Sequence, residues 1–295
     1  MRHVLSLART LLIAAVGLAG TAVLAATAPA GAASGHASPT YYVSVGDSYS
    51  VGYQPGLGAT SGYTGYVAKR THLTLVNFGC GGATTTSLID TVGCPDILPH
   101  TGGGMAYPAT TQAAAAEAFI TAHRGHIGLI TVSIGGNDVT SCASQANPIP
   151  CVGTAVTNIT TNVTTLATAL RAAAGPRVPI IGLTYPDVIL GDYLATNTAT
   201  KSLAPLSVNA FQSLINPALQ QQYQAIGATF VDVTSATGAY TPFTQTTSLS
   251  GYGTVPIAVA RVCELTFFCQ YGDIHPRTVG YTEIATLIAA ALPKR

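Results

Sequence analysis

Tyr41-Tyr42-Val43-Ser44-Val45 runs directly into Gly46-Asp47-Ser48. An aromatic and β-branched run that ends on a glycine and two small polar residues predicts a strand leaving its sheet through a sharp turn. Four further runs have the same character: Leu73–Asn77, Ile127–Ser133, Val178–Leu183 and Thr229–Val233. Between them, amphipathic stretches predict helices over Gly62–Thr71, Thr110–Arg124, Val152–Ala174 and Ser207–Ile226, with a last one over Thr278–Ala291. Strands that alternate with helices build a parallel sheet covered on both faces. Ile180-Ile181-Gly182-Leu183, apolar throughout, suits a buried central strand. The expectation is one α/β domain.

Two stretches fall outside this alternation. Pro186–Pro205 and Ser235–Gln270 have no clear period and are too long for simple connections, so they are candidates for the walls of a binding site. The second carries Tyr240, Phe243, Tyr252, Phe267 and Phe268. These suit either an apolar wall for an acyl chain or packing beneath the sheet.

The amino terminus is not read as part of the fold. Arg2, His3 and Arg9 precede an apolar run from Leu11 to about Ala26, then the small residues Ala28-Pro29-Ala30-Gly31-Ala32-Ala33. This order predicts a secretory signal peptide over residues 1–33, cleaved between Ala30 and Ser34. Residues 34–295 remain, enough for a single large domain. The run is short for a spanning helix and no basic stop-transfer group follows it, so no stable membrane insertion is expected.

Net charge is +1 and only 8% of residues are charged, with no basic cluster. Phosphate backbones are held by grouped Lys and Arg, so nucleic acid is excluded as a dedicated partner. The six cysteines fall into close pairs, Cys80/Cys94, Cys142/Cys151 and Cys263/Cys269. Six cysteines allow 15 connectivities. In an exported chain the nearest-neighbour pattern Cys80–Cys94, Cys142–Cys151, Cys263–Cys269 closes three short loops, and the spacings do not suit a metal site.

Ligands of parallel α/β sheets sit beyond the carboxyl ends of the strands. Ser48 follows the first predicted strand. A serine hydroxyl becomes a useful nucleophile only beside a base. Gly82, in Gly79-Cys80-Gly81-Gly82, follows the second strand, where a residue without Cβ lets its N–H approach an oxyanion. Asn137, in Ile134-Gly135-Gly136-Asn137-Asp138, follows the third and could add an amide donor. His275, in Gly272-Asp273-Ile274-His275-Pro276, stands ahead of the last helix, well placed as the base. Asp47 and Asp138 are read as turn-shaping residues that accept main-chain N–H groups. His123 and His126, with Glu117 upstream, are read as a solvated helix end rather than metal ligands.

Serine, glycine, asparagine and histidine in this order resemble the four blocks of the SGNH (GDSL-type) serine hydrolases, from Tyr42 to Tyr281. The chain looks most like the secreted, three-disulfide bacterial lipases and esterases of that family. The resemblance implies a three-layer α/β/α sandwich with a central five-stranded parallel sheet. It implies Ser48 as nucleophile, His275 as general acid and base, and an oxyanion hole made by the Ser48 and Gly82 N–H groups with the Asn137 amide. It implies no cofactor and no metal. The expected protein is a secreted monomer acting on a small-molecule or lipid ester. A carbohydrate acetylesterase is the alternative within hydrolysis, and an inactive binding protein of the same fold the alternative outside it.

One departure stands out. The family places an Asp three residues before the His, but here that position is Gly272, and Asp273 stands only two before His275. The ring needs an acceptor at its second nitrogen. A repositioned Asp273 carboxylate and a main-chain carbonyl of Gly272 or Asp273 are both open, with the carbonyl, and hence a Ser-His dyad, the preferred of the two.

Overall fold

A computed structural model describes residues 38–94 and 105–293. The predicted signal peptide and the Gly102-Gly103-Gly104 run lie outside the described residues.

The five β-branched runs form the strands Tyr41–Gly46 (β1), Thr74–Asn77 (β2), Ile127–Ser133 (β3), Ile180–Leu183 (β4) and Thr229–Val231 (β5). They pair in parallel in the order β2-β1-β3-β4-β5. Successive strand side chains point to opposite faces, and both faces are apolar here. Val43, Val45, Ile130, Val132 and Ile180 face one way; Tyr42, Leu129, Ile181, Leu183 and Val231 face the other.

Each face is covered by helices. Gln112–Ala122 and Pro148–Ala174 cover the first, through Ala116, Ile120, Ile159, Val163 and Leu170. Gly62–Thr71 and Thr278–Ala291 cover the second, through Tyr63, Val67, Tyr281, Ile284 and Ile288. Fully burying one such aliphatic side chain stabilises the fold by roughly 1.5–3 kcal/mol, so two continuous clusters dominate the energetics. The result is the expected three-layer α/β/α sandwich with a five-stranded parallel sheet.

Several boundaries differ from the sequence reading, for local reasons. β4 begins at Ile180 rather than Val178, since Pro179 has no N–H for the ladder; its carbonyl accepts from the Ile130 N–H at 3.0 Å. The single helix expected over Ser207–Ile226 is instead Leu203–Ala210, a π-turn at Phe211–Ile215, and Asn216–Ala225. Pro217 accounts for the break. It cannot donate to the preceding turn and its ring crowds the carbonyl four residues back, so the helix widens there, and the Asn216 N–H reaches Phe211 O, five residues back. Ser235–Gln270 contains a hairpin, Thr246–Leu249 with Gly253–Pro256, and the helix Ile257–Leu265.

The chain leaves β1 for β2 on one side and returns to β3 on the other. The crevice beyond β1 and β3 is therefore the topological switch point, where such sheets bind ligands.

Candidate active site

Ser48 sits two residues past β1, in that crevice. Gly46 makes the exit possible: a Cβ there would lie 2.3 Å from Ser133 O on β3, so only glycine lets the two strands approach this closely. The turn is then locked from several sides. Asp47 N–H donates to Ser133 O at 3.2 Å, Cys80 N–H to Gly46 O at 3.0 Å, and Tyr53 N–H to Ser48 O at 3.0 Å. Ser48 is buried, at 5% exposure.

The Ser48 hydroxyl is 2.8 Å from His275 Nε2, and His275 Nδ1 is 2.8 Å from Asp273 Oδ1. The carboxylate, and not a main-chain carbonyl, thus meets the second ring nitrogen, against the preference drawn from the sequence. The reason is local. The short helix Phe268–Tyr271 ends at Gly272 in the left-handed region, φ +67°, which turns the chain sharply. Asp273 then folds back over its own turn, its Oδ1 accepting the His275 main-chain N–H at 2.9 Å as well as the ring. A two-residue spacing thereby does what three residues do elsewhere. A carboxylate can only accept, so Nδ1 carries the ring hydrogen and Nε2 is free to accept from Ser48.

Burial lowers the His275 pKa below its ordinary value, and the Asp273 hydrogen bond and charge pull it partly back. A ring that stays neutral near pH 7 is ready to act as a base.

Asn137 lies in the helix Gly136–Thr140, immediately after β3, and lines one small cavity together with Ser48, Tyr185 and Ile274. Its Nδ2 donates to Ala83 O at 2.9 Å, using one of two amide hydrogens and tying it to the loop that carries Gly82. Gly82 itself is exposed. Among the described residues, neither the Ser48 nor the Gly82 N–H donates to a protein acceptor. The two aspartates beside these blocks have the structural contacts expected. Asp47 Oδ1 accepts from Tyr49 N–H at 2.9 Å, while Asp138 accepts from the Thr85 N–H and hydroxyl at 2.9 and 2.6 Å. His123 stacks on Phe119 and bonds its carbonyl at 2.8 Å, at the end of its helix.

Three supports were not visible in the sequence. Tyr185, after β4, donates to Asp47 Oδ2 at 2.6 Å. Even so, burial pushes the Asp47 carboxyl up to about 7. Gln112 Nε2 donates to both Gly46 O and Phe78 O, at 2.6 and 2.7 Å, pinning β1 to the end of β2. The Tyr53 ring meets the His275 ring edge-on, centroids 4.5 Å apart. Each partner is tens of residues or more away in sequence, and nothing local announces them.

The cavity at Ser48 is small, about 20 Å³, room for little more than one water-sized group. A larger apolar groove of about 170 Å³ lies next to it, between the Cys142–Pro148 segment and the helical stretch from Leu203 to Ile215. Val139, Ile189 and Phe211 line both. Pro186, Val188, Ile189 and Leu203, from the stretch Pro186–Pro205, line these cavities. Ser235–Gln270 contributes to neither cavity; Phe243 packs on Tyr193 and Phe268 on Gly191, in a separate apolar cluster. The three disulfides are Cys80–Cys94, Cys142–Cys151 and Cys263–Cys269, as expected.

A sequence profile of the GDSL-like lipase/acylhydrolase family matches residues 44–282. In fold, the chain is similar to an extracellular lipase from Streptomyces rimosus, at 20% identity and a TM-score of 0.53, over 86% of this chain and all of that one. It is similar also to an acetylxylan esterase from Geobacillus stearothermophilus, at 14% identity and a TM-score of 0.49, over 88% of this chain and 98% of that one. No curated protein matches in sequence.

Proposed function

The chain belongs to the GDSL-like lipase/acylhydrolase family, a family of serine ester hydrolases, and from that premise we propose that it is a secreted carboxylic ester hydrolase working through an acyl-enzyme on Ser48. The observation that carries this reading is the continuous chain Ser48 Oγ–His275 Nε2 and His275 Nδ1–Asp273 Oδ1, each link 2.8 Å.

Ser48 Oγ attacks the ester carbonyl carbon as its proton passes to His275 Nε2. The carbonyl oxygen becomes an oxyanion, with the Ser48 N–H, the Gly82 N–H and the second Asn137 amide hydrogen as its donors; losing one such donor typically costs 10²–10³ in turnover. The imidazolium, steadied by Asp273, returns its proton to the leaving alcohol as the carbon–oxygen bond breaks. Water then repeats the sequence on the acyl-enzyme, releasing the acid and restoring Ser48. Asp273 is the positioning residue: it fixes the tautomer and orientation of the ring.

Secretion is supported by the three disulfides, which persist in oxidising compartments. Among the described residues no helix is long and apolar enough to cross a membrane. The substrate is a small-molecule or lipid ester. An acetyl ester is the second reading, favoured by one observation: the cavity at Ser48 alone has room for little beyond an acetyl methyl.

Hydrolysis of p-nitrophenyl esters by wild type and Ser48→Ala tests the assignment. Turnover should fall to background in Ser48→Ala with the thermal midpoint preserved. Turnover that survives the substitution rules out Ser48 as the nucleophile.

A further inference from the structure

We propose that a polar pocket beside the His275 loop, between the first turns of Gly62–Thr71 and Thr278–Ala291, receives the alcohol half of the ester and takes a neutral polyhydroxyl ring there, a sugar or cyclic polyol. This rests on the reading of Ser48 as nucleophile and His275 as its acid and base.

The pocket has a volume of about 140 Å³, room for roughly ten water-sized groups, against about 20 Å³ at Ser48. Gln54, Thr60, Ser61, Tyr66, Thr278 and Tyr281 line it. Gln54, only 3% exposed, is half satisfied. Its Nε2 donates to Pro276 O at 3.1 Å and to Thr278 Oγ1 at 3.4 Å, whereas among the described residues no donor reaches its Oε1. That oxygen needs a donor, and the pocket is where one can enter. Donors without acceptors lie close by. The Thr278 and Val279 N–H groups, the first in their helix, bond no protein acceptor among the described residues. The Ser61 hydroxyl makes no capping bond to the helix it precedes.

A free acceptor and free donors around one pocket match a group that both donates and accepts, which is a hydroxyl. A phosphate only accepts, and no Lys or Arg lines the pocket to hold its charge. Tyr66 lines the pocket yet stays 38% exposed, leaving a ring on which the C–H face of a sugar can rest.

The surroundings of the pocket put it on the alcohol side. The Tyr281 hydroxyl donates to Tyr53 O at 2.8 Å, and the Tyr53 ring lies edge-on to His275. Gln54 bonds the carbonyl of Pro276, the residue after His275. The pocket therefore flanks His275, and it shares no lining residue with the cavity at Ser48. His275 hands its proton to the leaving alcohol oxygen, so the alcohol half extends from Ser48 across that ring and past Tyr53.

Two measurements test this. In the first, xylobiose is titrated into isotope-labelled Ser48→Ala, which keeps the pocket and loses the nucleophile, and amide shifts are followed by NMR. The Gln54, Tyr66, Thr278 and Val279 amides should shift together. No shift with xylobiose in large excess, or a shift there with inorganic phosphate and none with xylobiose, overturns the proposal. The second is the ratio of kcat/KM for mono-O-acetyl xylobiose to that for methoxyethyl acetate, two esters of one acid, in wild type, Tyr66→Ala and Thr278→Val. Wild type should favour the sugar ester, and each variant should lower the ratio about two- to tenfold, the scale of one net hydrogen bond. A ratio near unity in wild type, or one unmoved in both variants at preserved thermal midpoints, refutes the alcohol-side assignment. Turnover that survives in Ser48→Ala refutes the nucleophile instead and leaves the titration to decide the pocket.

Discussion

Asp273→Asn is the substitution that separates a triad from a dyad. The Asp273 carboxylate makes two contacts through one oxygen, to the His275 main-chain N–H at 2.9 Å and to Nδ1 at 2.8 Å. Asparagine can keep the first through its carbonyl oxygen. It then offers the ring either the same neutral oxygen or an amide N–H, and the latter favours the tautomer with hydrogen on Nε2, which cannot accept the Ser48 proton. Neutralising the aspartate of a well-studied serine protease triad lowers kcat about 10⁴-fold, about 5.4 kcal/mol of transition-state stabilisation. Here the Asp273 side chain is 26% exposed, so water can take over part of the orienting role. A loss of about 10²–10⁴ in kcat is expected.

The pH profile supplies a second reading that a merely structural effect would not produce. Asp273 raises the His275 pKa against the lowering by burial. Removing the charge should move the acid limb of kcat/KM to lower pH even as the plateau falls, because the ring must be neutral to accept the proton. Stopped-flow or steady-state rates on a soluble p-nitrophenyl ester across pH 4–9 measure both. A loss below tenfold with an unmoved acid limb would refute the argument and return the orienting role to a main-chain carbonyl.

Tyr185→Phe should leave packing intact and remove a donor from the buried Asp47, costing about 1–3 kcal/mol of stability in urea unfolding and pushing the Asp47 carboxyl further above 7; an unchanged midpoint would mean that the bond is dispensable. Asp187, between the cavity-lining Pro186 and Val188, is buried, accepts from the Ser207 hydroxyl at 2.7 Å, has Oδ1 without a partner among the described residues, and is pushed by burial up to about 7. With the folded value above the unfolded one, its contribution to stability is fully present below about pH 4 and is lost as pH rises to about 7. Its loss amounts to on the order of 4 kcal/mol over that window. Asp187→Asn should therefore flatten the decline in unfolding free energy between pH 4 and 7; parallel curves for wild type and variant would show that Asp187 does not titrate there.

The architecture was legible in the sequence because it rests on short-range regularities. β-branched runs such as Tyr41–Val45 and Ile127–Ser133 alternate with helical stretches, and that alternation alone implies a parallel sheet with ligands beyond its carboxyl ends. Ser48, Gly82, Asn137 and His275 were each legible as candidates, since each occupies the first residues after a predicted element or before the last helix. The close spacing of the cysteines likewise announced three short loops.

What the sequence left open was decided by contacts between residues far apart in the chain or by dihedral angles at single residues. The spacing Asp273-Ile274-His275 left a side-chain and a main-chain acceptor both open; beyond the left-handed turn at Gly272, it is the Asp273 carboxylate that meets the ring. Tyr185, Gln112 and Tyr53 carry no local pattern, because their partners Asp47, Phe78 and His275 lie 34 to 222 residues away. The aromatic stretch from Ser235 to Gln270 suited either an acyl wall or packing away from the site, because aromaticity says only that a side chain seeks burial; here Phe243 and Phe268 are buried against Tyr193 and Gly191. The groove next to Ser48 is lined instead by residues of the Cys142–Val152 and Leu203–Ile215 segments, which nothing in their local sequence pairs. Local sequence determined which elements form and in what order; only tertiary packing decided which side chains those elements bring within hydrogen-bonding distance of Ser48.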